Sequence, residues 1–182
     1  MKIETRTITY AGLLIAISII LTRFCSVNYP VFGYNAVRFG FGGIPILLSG
    51  FLLGPWAGAS VGAIADIIGA LLFPSGPYFP GFTLSSALVG LLPGLFYKQN
   101  NKIPSFVAIL LIVTMTDVLT SVLMNTFWIT LISGTGKGFL VFLIPRAIAR
   151  IILIPLYSSL LYVIIRYFRI VFANNVSFND KT

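Results

Sequence analysis

Residues 104–133 read PSFVAILLIVTMTDVLTSVLMNTFWITLIS. This run of 30 residues holds one charge, Asp117. An α-helix needs roughly 20 apolar residues to cross a bilayer. A helix this long with no charged face has no surface to offer water. The stretch reads as a transmembrane helix, and the rest of the chain repeats its character.

Hydrophobic residues make up 58% of the 182 residues and charged residues 9%; mean hydropathy is +1.01. Soluble domains carry about 25% charged residues. Lipid is therefore the solvent. Apolar runs predict six spans, at about 7–22, 41–54, 56–73, 82–97, 104–133 and 139–172. The expected fold is all-α: an integral membrane bundle of six transmembrane helices with short loops, forming one domain over residues 1–182. Gly54-Pro55 separates the second and third spans by a tight break. Residues 74–81 hold three prolines and two glycines and cannot be helical. Residues 26–38 form a polar, turn-rich stretch. The second span is short for a crossing, so it tilts little or part of the preceding loop dips into the membrane.

The net charge of +8 is distributed by topology rather than gathered into a nucleic-acid footprint. With six spans, one side collects Lys2, Arg6, Lys98, Lys102, Arg166, Arg169 and Lys181; the other collects Arg23, Arg38 and Lys137. The positive-inside rule places both termini in the cytoplasm. The first apolar run lacks a small-residue cleavage site and reads as a retained helix. Histidine is absent and Cys25 is the single cysteine, which removes the commonest base, the commonest metal ligand and any internal disulfide. No metal or cofactor is expected. The length leaves no room for an ATPase, so energy comes from an ion gradient or from partner subunits.

Charges inside a bilayer cost about 2.5–3.5 kcal/mol each on insertion scales, and they mark polar sites or pairs. Asp66, Asp117, Arg146 and Arg150 lie inside predicted spans. Asp66 and Asp117 fall near mid-membrane; Arg146 lies about 12 Å down the sixth helix, with Arg150 one turn deeper. Neutralising Asp–Arg pairs and a ligand cavity open to the outside both fit, and one cavity accommodates both. Asp117, Ser121, Asn125 and Trp128 recur at spacings of four, four and three, a polar and aromatic stripe that must face protein or water. Near its outer end, Tyr78, Phe79 and Phe82 come from the proline-rich loop, and Tyr34, Asn35 and Arg38 from the first loop. Aromatic faces with an Asp or Asn beside them suit a flat heterocycle. An interfacial aromatic belt is the plainer reading of any single ring. Gly12 and Ala16 form a small-residue face on the first helix, for packing in the bundle or against a partner.

At these residues the chain resembles the substrate-binding S components of energy-coupling factor (ECF) vitamin transporters, most closely the folate type. The resemblance runs from about residue 7 to 172. It is carried by residues 32–45, Gly54-Pro55-Trp56-Ala57-Gly58, Ala65-Asp66, residues 74–83, Asn125-Thr126-Phe127-Trp128 and Pro145-Arg146. It implies capture of a vitamin from outside, loops after the first and third helices that close over it, and a prokaryotic, Gram-positive cell membrane. It also implies a transmembrane coupling protein and two ABC-type ATPases as partners. The coupling motif of the first helix is usually Ala-x-x-x-Ala; here Gly12 takes the first position and Ala16 the second. For folate, Asp66 and Asn125 would read the pterin edge, and Trp128, Tyr78, Phe79 and Phe82 would stack on its rings. Arg38 or Arg146 would hold the glutamate carboxylates. An S component for another vitamin, such as a thiamine precursor, is the alternative; a neutral ligand would make Arg38 and Arg146 dispensable. An intramembrane enzyme is remote, because two nearby arginines oppose a shared-proton Asp66–Asp117 dyad.

Overall fold

A computed structural model describes residues 5–31, 34–74, 78–97, 104–133 and 139–179, with backbone alone at 28–39 and 169–179. The expected turns at 98–102 and 134–138 lie outside the described residues, as do Ser75, Gly76 and Pro77. Among the described residues six helices form the bundle. They are α1 (Thr5–Arg23), α2 (Gly43–Leu53), α3 (Pro55–Leu72), α4 (Pro80–Phe96), α5 (Phe106–Ser133) and α6 (Phe139–Asn179).

Four of these, α1, α3, α5 and the Phe139–Phe168 part of α6, are long and apolar enough to cross a membrane. The 11-residue α2 would measure only about 16 Å. It needs no lipid contact of its own, since every residue from Ile44 to Phe51 is buried. An apolar helix without a polar face belongs in the centre of a bundle, and α2 is that centre. Its Ile44, Leu47, Leu48 and Phe51 join Val61, Ile109, Val113, Leu153, Leu161 and Ile165 in one core. By contrast α1 buries only Leu14 and Ser18 and lies at the periphery.

Glycine brings the central helices into backbone contact. A Cβ on Gly58 of α3 would collide with the Gly90 carbonyl of α4, and one on Gly90 with the Gly58 carbonyl. In lipid such close approach gives dispersion contact where the hydrophobic effect between helices is lost. Polar side chains in the spans turn inward on their own helices. Thr114, Thr120, Thr130 and Ser158 each donate to the carbonyl four residues earlier, at 2.7–2.8 Å.

Two departures from the expected bundle matter for the site. The stretch after α1 is an antiparallel hairpin, β1 (Ser26–Val31) and β2 (Tyr34–Gly40), with its register broken at Tyr29/Pro30. Proline has no N–H for the ladder, which accounts for the irregularity. Within α5, Val118–Met124 is π-helix. Such segments are rare and concentrate at functional sites.

The hairpin is tied to the bundle at its second root. The Ser18 hydroxyl donates to the Gly42 carbonyl at 2.8 Å, and the Tyr157 hydroxyl of α6 donates to the Gly40 carbonyl. Tyr157→Phe leaves that carbonyl unsatisfied and is expected to cost about 1.5 kcal/mol. The melting temperature of the detergent-purified protein should fall by roughly 3–6 °C. An unchanged melting temperature would show that the hairpin is held elsewhere.

Candidate ligand-binding site

Every helix contributes to one cavity of about 170 Å³. Ser18, Thr22 and Arg23 come from the C-terminal end of α1, and Gly43 and Ile46 from the start of α2. Ala65 and Asp66 come from the second half of α3, and Ser85 and Ser86 from the first half of α4. Asp117, Ser121 and Asn125 come from α5, and Arg150 and Tyr157 from α6. Consecutive helices in a bundle run in opposite senses. A late position on α1 and α3 therefore lies at the same end as an early one on α2 and α4. This is the end that carries the hairpin, and Ser26 and Gly40 at its roots also line the cavity.

Two carboxylates and two guanidinium groups share this space. Arg150 Nη1 lies 3.2 Å from Asp117 Oδ1, so the expected neutralising pair is present. The Ser121 hydroxyl donates to the same oxygen at 2.8 Å. Asp117 is only 6% exposed, so an unpaired charge there would be costly. Among the described residues its second oxygen, Oδ2, is buried without a hydrogen-bond partner, as is Asn125 Oδ1. Asp66 accepts a 2.7 Å hydrogen bond on Oδ2 from the Thr83 hydroxyl, which lies 3.0 Å from the Tyr78 hydroxyl. These contacts link the second half of α3 to the first turn of α4 and to Tyr78 just before it.

The polar stripe spans the π-helical turn. Asp117, Ser121 and Asn125, spaced by four as on one helix face, all line the cavity, and Asp117 and Asn125 flank the π segment. That segment also disturbs the carbonyl ladder, and Arg146 Nη1 donates to the Ser121 carbonyl at 3.0 Å. Arg146, expected at the cavity, is not among its lining residues and braces the π turn instead.

Trp128 continues the stripe but not the lining. Its indole N–H donates to the Ser85 hydroxyl at 3.1 Å, and Ser85 lines the cavity. Phe79 packs on both Trp128 and Phe82, with ring centroids 5.6 and 6.2 Å apart. Phe82 also rests on Ile129 and Phe142. Tyr78 is half exposed. Phe79, Phe82 and Trp128 thus gather beside the cavity with Phe79 in the middle, whereas Tyr78 reaches Thr83 instead. The side chains of Tyr34, Asn35 and Arg38 lie outside the described residues; their backbone forms β2.

Arg23 escaped the sequence reading, which took it as a topology-setting charge at a helix end. It lines the cavity within electrostatic range of Asp66. The available signal was Gly69 on α3, where a Cβ would lie 3.2 Å from the Arg23 guanidinium. Tyr157 was likewise passed over. It stands in reach of Arg150 and connects the ion pair to the hairpin root. Gly12 and Ala16 are exposed on α1, and a Cβ on Gly12 would meet nothing within 4 Å. Among the described residues the bundle leaves this face of α1 uncovered.

Residues 6–165 match the model of the family described as ECF transporter, substrate-specific component. A folate transporter, FolT, of Clostridium novyi is 35% identical over 159 residues, covering 87% of each chain. A crystal structure of FolT bound with folic acid superposes with a TM-score of 0.78 at 30% identity, covering 91% of this chain and 98% of the other. An S component for biotin from an ECF-type ABC transporter superposes with a TM-score of 0.66 at 22% identity, covering 92% and 95%, and shares the fold. On these grounds the chain belongs to the substrate-specific components of ECF transporters: it is a multi-pass membrane protein of transport, not an enzyme.

Proposed function

We propose that this single-domain chain is the high-affinity folate-binding subunit of an ECF-type uptake system. The observation that carries the reading is the convergence of Asp66, Asp117, Asn125, Arg23 and Arg150 on one cavity built by all six helices. Folate joins a flat pterin, whose amino-pyrimidinone edge offers hydrogen-bond donors, to an aminobenzoyl group and a doubly acidic glutamate. The acceptors Asp66, Asp117 and Asn125 suit the pterin edge. Phe79, Phe82, Trp128 and Tyr78 suit the rings as they leave the cavity. Arg23 and the guanidinium of Arg38 suit the carboxylates, since planar guanidinium groups hold carboxylates bidentately. The folate transporter and the folic-acid-bound structure reported above support the choice of vitamin.

In this reading both termini are cytoplasmic, by the seven-to-three bias of basic residues, and the hairpin end faces outside. The setting is the cell membrane of a Gram-positive prokaryote. The exposed Gly12–Ala16 face of α1 docks the transmembrane coupling protein, and two ABC-type ATPases supply the energy. The test is to purify the chain alone and identify the small molecule released on denaturation. Mass spectrometry should find a folate, with pterin absorbance in the same fraction. A different vitamin in the cavity, with no folate binding on titration, would overturn the substrate assignment.

A further inference from the structure

We infer that Tyr157 is a positioning residue that couples the hairpin to the buried Asp117–Arg150 pair, so that the charges inside the cavity set how firmly the hairpin is held beside it. Tyr157, Arg150, Asp117 and Gly40 all line the one cavity. Two of them belong to α6, one to α5 and one to the end of β2. The coupling concerns the walls of the site and holds whichever vitamin the cavity takes.

A phenol both donates and accepts. The Tyr157 hydroxyl donates its one proton to the Gly40 carbonyl at the second root of the hairpin. Its oxygen keeps lone pairs for a second partner. Arg150 lies seven residues earlier, on the same face of α6, and acts on the phenol by charge and by hydrogen bonding. Arg150 also gives Nη1 to Asp117 Oδ1 at 3.2 Å, and the Ser121 hydroxyl donates to that oxygen at 2.8 Å. The contacts form one series: Asp117 holds Arg150, Arg150 acts on Tyr157, and Tyr157 holds Gly40. Donation onto a phenol oxygen polarises its O–H and strengthens the bond that the O–H makes. The bond to the hairpin is therefore strongest while Arg150 stands where Asp117 places it.

The other tie at this root is of a different kind. The Ser18 hydroxyl donates to the Gly42 carbonyl at 2.8 Å from α1 and takes no part in the ion-pair series. The two ties thus separate a coupled from an uncoupled hold on the same root. Coupling between two equilibria is reciprocal: what fixes the pair tightens the hairpin, and a displaced hairpin loosens Arg150. The chain carries its own reporter. Cys25 is the single cysteine, is exposed and immediately precedes β1. Its carbonyl oxygen lies 3.5 Å from the position a Cβ would take on Gly40.

The experiment places a nitroxide on Cys25 of the ligand-free protein in detergent and reads the ratio of mobile to immobile spectral components. Tyr157→Phe should raise that ratio about tenfold, the equivalent of one hydrogen bond to a backbone carbonyl. Asp117→Leu/Arg150→Met should raise it severalfold, and adding Tyr157→Phe to that variant should bring it only to the level of Tyr157→Phe alone. Such non-additivity is the mark of residues acting through one another. Ser18→Ala should multiply the ratio by the same factor in every background. A triple variant whose ratio is the product of the two separate effects would show that Tyr157 holds the hairpin without the pair, and overturns the inference. A wild-type spectrum in Tyr157→Phe overturns it as well. So does non-additivity that extends to Ser18→Ala, because the root then responds to any loosening. If Asp117→Leu/Arg150→Met does not fold, Arg150→Lys takes its place in the same comparison. It keeps a cation beside Asp117 but lacks the planar fork that serves two acceptors at once.

Discussion

Asp66→Ala is expected to abolish folate binding, with a loss of at least a hundredfold, about 3 kcal/mol. The carboxylate joins three parts of the site. It accepts from Thr83, through Thr83 it reaches Tyr78, and it faces Arg23 across the cavity. Without it the guanidinium of α1 stays in a partly buried position and loses the carboxylate that acts on it. The segment entering α4 also loses its attachment to α3. Both changes act on the assembled cavity rather than on the helix core, so the purified variant should remain folded. Isothermal titration of wild type and variant in detergent is the measurement. Folate affinity in Asp66→Ala equal to that of wild type would remove Asp66 from the site.

The second large effect concerns stability. Arg150→Ala leaves Asp117 without its cation in a position 6% exposed. Breaking a buried pair by removing one partner costs about 3–5 kcal/mol. It should lower the melting temperature of the purified protein by roughly 6–20 °C. The double variant Asp117→Leu/Arg150→Met removes both charges and fills the space with apolar groups. It should recover most of the loss, as replacement of a buried pair by packed apolar residues is often neutral. It should also bind no folate, because the acceptor on the cavity wall is gone. A double variant as unstable as the single one would show that Arg150 stabilises the bundle by contacts other than the ion pair.

The membrane class and the six helices were legible in the sequence because hydropathy is local. Each apolar run states its solvent without reference to its neighbours. Breaks such as Gly54-Pro55 are also local, since Gly54 has φ 91° and Pro55 opens α3. Asp66, Asp117 and Arg150 stood out because a charge within an apolar run is conspicuous. Arg23 was hidden for the opposite reason. A basic residue at the end of a span looks like an ordinary topology signal. Its place in the cavity depends on Gly69 across from it, 46 positions later. The hairpin was hidden because its two strands are short and one contains Pro30.

Sequence alone therefore determined the solvent, the number of helices, the family resemblance and the polar residues too costly to leave in lipid. Tertiary structure decided which of those residues meet. Asp117, Ser121 and Asn125 share one face of α5, and the wall they line is completed by Arg23 of α1 and Asp66 of α3, far away in the chain. Arg146 and Arg150 lie four residues apart on one helix, yet one braces a carbonyl and the other neutralises a carboxylate. The reason is physical: burial in lipid selects residue types one at a time, whereas partnership depends on how helices far apart in the chain are rotated and packed.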